Sequence, residues 1–116
     1  MKKIFFVILL TLPFLGAAQS PTQWETNRAK IFSDHVVNNM ELTSEDSEFI
    51  QQVFLDRVVN ARKKIKGKEL SQEEKRAVYS QEYKNSKTKL TDRFGKRKAT
   101  KIMNLSNEAL KKADAN

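Results

Sequence analysis

The chain has 116 residues, with 22 Lys and Arg against 14 Asp and Glu, for a formal charge of +8. That length accommodates one small domain. The absence of Cys excludes a disulfide framework, a thiol nucleophile and any Cys-ligated metal, and three Gly with two Pro argue against a sheet-rich fold with many tight turns.

Residues 1–18 read MKKIFFVILLTLPFLGAA. Lys2 and Lys3 form a basic start, an apolar run follows, and Gly16, Ala17 and Ala18 supply small residues for cleavage. This is the pattern of a secretory signal peptide cut after Ala18. The apolar run, about 12 residues, falls short of the roughly 20 that span a bilayer. No Cys follows it, which excludes a lipid-anchored lipoprotein. The expected product is a single helical domain over 19–116, exported to a periplasm or secreted, starting at Gln19 and carrying +6 once Lys2 and Lys3 are gone.

Its core is thin. From residue 19 onward there are 20 Leu, Ile, Val and Phe, close to the fraction of roughly 20% below which chains tend towards disorder. A domain so short of apolar groups gains from completing its core in a homodimer.

The spacing predicts four helices. Ser20 caps the first, Pro21 suits its first position and Gln23 completes a capping box. It runs to about Met40, with Trp24, Ile31, Phe32, Val36 and Met40 on one broad face. Leu42-Thr43-Ser44-Glu45-Asp46 opens the second, with Thr43 as cap. Ile50, Phe54, Val58, Ala61 and Ile65 form its main stripe, and Leu55 and Val59 lie on nearly the opposite side. Apolar groups on two faces mark a central helix or one that meets a partner. Gly67 ends it after a basic turn.

Leu70-Ser71-Gln72-Glu73-Glu74 is a complete capping box. The third helix places Tyr79, Tyr83, Leu90 and Phe94 on a narrow stripe and breaks at Gly95. The fourth starts near Lys96, aligns Ala99, Ile102, Met103, Ser106 and Leu110, and frays from about residue 113. No segment alternates with period two for long enough to form a strand. The expected fold is all-α: an elongated, thin-cored helical hairpin or bundle.

Charge is uneven. Residues 19–55 balance to −4, and residues 56–101 to +10. The basic stretch includes Arg62, Lys63, Lys64 and Lys66, then Arg93, Lys96, Arg97, Lys98 and Lys101. Two readings stand for it: a solvated face that keeps a small exported domain soluble, or a surface for an anionic partner. Export and the lack of a recognisable motif speak against nucleic acid.

Catalytic and ligand-binding patterns are lacking. His35 is the single His and reads as a partly buried helix residue, not a metal ligand. Glu73 and Glu74 serve the third helix's first turn. No phosphate loop, GxSxG or HExxH occurs. The Asn104-Leu105-Ser106 glycosylation pattern is one that recurs by chance. Neither an enzyme, nor a cofactor, nor a metal is expected.

The chain resembles the Spy/CpxP family of small exported helical envelope-stress proteins, which pair a signal peptide and four helices with a recurring LTxxQ motif. Leu42-Thr43 matches that motif with Asp46 in place of Gln, and Leu90-Thr91 matches it with Phe94 in place of Gln. The resemblance implies an ATP-independent chaperone, or holdase, whose dimer holds unfolded clients on a basic surface. By the same resemblance, Arg62, Lys63, Lys64 and Lys66 join exposed Leu55 and Val59 in binding clients. The alternative is a regulatory adaptor that binds one acidic partner, or an anionic envelope surface.

Overall fold

The computed structural model describes residues 21–115. The expected signal segment and Ser20 lie outside them. Four helices account for almost all of this span: α1 (Gln23–Asn38), α2 (Ser44–Ile65), α3 (Gln72–Phe94) and α4 (Lys96–Ala115). No strand occurs among the described residues. The fold is all-α.

Each helix starts or stops for a local reason. Thr22 caps α1, accepting from the Glu25 N–H at 3.1 Å, while the Glu25 carboxylate accepts from the Thr22 N–H at 2.8 Å. The box is therefore Thr22 with Glu25, two residues beyond the expected Ser20 and Gln23. Glu answers the orphan backbone donor with a charge as well as a hydrogen bond. Thr43 caps α2 as expected, accepting from the Asp46 N–H at 3.0 Å. Ser71 and Glu74 form the expected reciprocal box on α3.

Leu90-Thr91 opens no helix. It lies in the last turn of α3, where the Thr91 carbonyl accepts the Gly95 N–H at 2.9 Å. Gly95 alone separates α3 from α4, at φ 88° and ψ 161°, a region that costs any residue with a side chain backbone strain. The fourth helix then runs to Ala115, past the point where fraying was expected.

The helices close a ring. Each packs on its neighbours along the chain, and α4 returns to α1. The molecule measures 43 × 40 × 24 Å. Its short dimension is two helix diameters of about 10–12 Å, so there are two layers and one shared core. Phe32 and Phe54 stack at its centre with ring centroids 5.6 Å apart. Val36, Ile50, Leu90, Ala99, Ile102 and Met103 are buried around them.

Neighbours within the chain explain the two-faced α2. It packs on α1 along one side and α3 along the other. Leu55 and Val59 are half-buried, and Leu55 packs against the core cluster. They do not form the exposed apolar patch expected of them.

Three large apolar side chains do lie exposed: Trp24 (56%), Tyr79 (54%) and Ile31 (37%). All three were expected on buried stripes. The inner face of α1 centres on Ala29, Phe32, Ser33 and Val36, and Ile31 lies about 100° from Phe32 around the helix. The first ten residues of α3 include no buried side chain. The inner line of α3 is Glu82, Ser86 and Leu90, two of them polar and hence invisible to an apolar pattern.

Candidate functional site: a cationic, aromatic cleft

The polar inner line of α3 has a charged end. Glu82 is 2% exposed, and its Oε2 accepts from Lys64 Nζ at 2.6 Å. A buried carboxylate needs such a partner. The pair ties the last turn of α2 to α3, and Glu82 lines a cleft of about 740 Å³.

The cleft is built by helical spacing. On α1, Trp24, Arg28 and Phe32 recur every four residues and face it. On α2, Arg57, Val58, Ala61, Arg62 and Ile65 follow the same geometry, and Lys66 stands at the helix end. Tyr79 and Glu82 contribute from α3, and Leu110 from α4.

Cations stack on its rings. The Arg62 guanidinium lies 4.7 Å from the Trp24 ring centroid and donates to Thr22 Oγ1 at 3.4 Å. The Arg57 guanidinium lies 5.0 Å from Phe32 and 5.5 Å from Tyr83, bridging α1 and α3 from α2. The Arg28 guanidinium lies 5.9 Å from the Phe32 ring centroid. Such stacking gives a guanidinium apolar cover while keeping its edge for hydrogen bonds.

Arg57 is the most perturbed of these. Burial holds its guanidinium below its ordinary value; Tyr83 opposes this, Arg28 adds to it and Glu82 opposes it. Arginine nevertheless stays charged. Its Nη1 is buried with no hydrogen-bond partner among the described residues.

Of the six residues expected to bind a partner, Arg62 and Lys66 line the cleft and Lys64 adjoins it through Glu82. Lys63 is exposed and does not line it; nor do Leu55 and Val59. Trp24, Arg28, Arg57, Tyr79 and Glu82 were not anticipated. A signal for Trp24 and Arg28 exists in the sequence: aromatic, cation and aromatic at intervals of four, Trp24-Arg28-Phe32.

The second basic stretch gathers elsewhere. Lys96, Arg97, Lys98 and Lys101 rim a shallower depression of about 610 Å³ with Met40, Glu41 and Phe94. Lys98 Nζ lies 5.1 Å from the Phe94 ring. His35 is half-buried on α1, its Nε2 3.2 Å from Glu108 Oε1 of α4. Among the described residues no group of three or more His, Asp or Glu could hold a metal ion, and no helix is long and apolar enough to cross a membrane. Ser106, the third residue of the glycosylation pattern, is fully buried.

The sequence matches no protein-family model, no curated protein and no solved structure.

Proposed function

We propose that this protein is a non-catalytic, exported binding protein of the holdase type, which captures unfolded polypeptide segments at the cleft between α1, α2 and α3. The observation that carries the reading is the composition of that cleft: exposed Trp24 and Tyr79 beside Arg57, Arg62 and Lys66. Aromatic rings offer large contact area at low entropic cost. Cations add long-range attraction for acidic segments. A half-open groove of this kind takes side chains from many sequences and selects few.

The charge balance of the cleft supports binding over chemistry. Its one carboxylate, Glu82, is engaged by Lys64, and its remaining charged groups are cations that hold or attract anions. The expected signal segment and the resemblance to Spy/CpxP proteins support an activity in the bacterial envelope. The thin core supports a homodimer as the working form.

Binding to a protein that cannot refold tests this reading. A reduced, carboxymethylated client, followed by fluorescence anisotropy, is expected to bind and to release as salt rises. Its native counterpart is expected not to bind. Equal binding of both forms refutes capture of unfolded chains and favours an adaptor that recognises a folded acidic partner.

A further inference from the structure

The Arg57 side chain carries a permanent positive charge into the cleft wall, and its buried Nη1 meets no acceptor among the described residues. A charged donor left so is costly to bury and is completed by an anion. The one carboxylate of the cleft, Glu82, bonds Lys64 through Oε2 at 2.6 Å and accepts no hydrogen bond from Arg57 Nη1. Phe32, Val58, Ile65 and Leu110 give the same cleft apolar lining. The volume of about 740 Å³ is that of sites which enclose single small ligands.

These features narrow the occupant. A neutral apolar molecule leaves the Arg57 N–H unmet. A bare anion leaves the apolar wall uncovered. A second copy of the same face sets Arg57, Arg62 and Lys66 against their own equivalents. We propose that the cleft binds one long-chain carboxylate, its head accepting from Arg57 and its chain lying along the apolar wall. This site goes beyond the capture of unfolded segments and does not depend on it; where both occur, the ligand and the segment compete.

Trp24 provides the readout. It is the single Trp of the chain, and it stands at the cleft beneath Arg62. The purified protein is titrated with dodecanoate below its critical micelle concentration. A saturable change in Trp24 fluorescence with one ligand per chain is expected, and no comparable change with dodecanol or dodecyltrimethylammonium. Arg57→Met, which removes the unmet donor and keeps an apolar side chain, is expected to weaken dodecanoate about tenfold or more. The comparison of head groups on the wild-type protein decides the matter even if that variant misfolds.

Absence of saturation overturns the proposal. So do equal binding of dodecanol, or many ligands per chain as in surface adsorption. Saturable binding of dodecyl phosphate alone overturns the carboxylate assignment in favour of a phosphorylated lipid. Saturable binding of an acidic, apolar peptide without any by dodecanoate overturns it in favour of polypeptide. Failure of the ligand-free wild-type protein to protect any client, with saturable dodecanoate binding observed, refutes the holdase reading and leaves this site standing.

Discussion

Arg93 donates from both Nε and Nη2 to the same carboxylate oxygen of Asp46, at 3.2 and 3.0 Å, and so ties the end of α3 to the start of α2. Asp46 occupies the position where a longer Glu or Gln would close the capping box of Thr43. With one methylene fewer, its carboxylate turns to Arg93. The same guanidinium lies 4.6 Å from the Phe49 ring and 5.7 Å from Phe94, and those two rings meet edge to face at 6.0 Å. Asp at this position thus makes a tertiary contact between α2 and α3.

A double-mutant cycle on this contact, Asp46→Asn with Arg93→Met, is expected to give a coupling of about 0.5–1 kcal/mol, because both groups are partly exposed. Chemical denaturation of the four proteins measures it. A coupling indistinguishable from zero shows that the aromatic contacts of Arg93, not the ion pair, hold the two helix ends together.

Phe54 is fully buried and stacks on Phe32. Phe54→Ala is expected to cost about 3–5 kcal/mol, a large share of the 5–15 kcal/mol typical of a folded domain. Leu55→Ser with Val59→Ser removes half-buried groups, one of them packed on the core, and is expected to fall between Phe54→Ala and no effect. Thermal unfolding orders the three proteins. A double variant that melts like the wild type places Leu55 and Val59 outside the packing altogether.

Gly95 has open space where a Cβ would stand. The cost of a side chain there is therefore backbone conformation alone. Gly95→Ala is expected to lose about 1–3 kcal/mol without loss of core contacts, which calorimetry and near-ultraviolet circular dichroism resolve together. An unchanged melting temperature contradicts the strained link between α3 and α4.

Glu74 accounts for an acid-sensitive helix start. Its carboxyl lies below the ordinary glutamate value, chiefly because it accepts from the Ser71 backbone N–H, with the Ser71 side chain adding to the effect. A depressed folded value means that the contribution to stability is present above the ordinary glutamate value and lost as pH falls through the lowered one. The first turn of α3 is expected to loosen as pH falls below the ordinary glutamate range, as amide exchange at Glu73 to Lys75 reports. Glu74→Gln keeps the cap and is expected to remove this pH dependence; an identical acid transition in that variant contradicts the assignment.

Much of this fold was legible in the sequence because helix ends are local events. Thr43, Ser71-Glu74, Gly95 and the α4 stripe from Ala99 to Ser106 all announce themselves by residue type and spacing. The start of α1 was misplaced because Ser20-Pro21 and Thr22-Glu25 are competing caps two residues apart. The buried face of α3 was misread because Glu82 and Ser86 are polar, and only a partner 18 positions away, Lys64, makes Glu82 tolerable inside. The cleft was half legible. Arg62 and Lys66 stand out by charge, whereas Arg57 and Tyr79 acquire their roles only when α1, α2 and α3 meet.

Aggregation of two unrelated unfolding proteins, followed by light scattering, tests the capture of unfolded chains most directly. The wild-type protein is compared with a Trp24→Ser, Tyr79→Ser variant, whose changed side chains are both more than half exposed and whose helicity is therefore expected to persist. The expected result is suppression of both clients by the wild type at near-equal concentration, and clear loss of suppression in the variant. Failure to suppress either client, or equal suppression by the variant, contradicts a client site at the cleft.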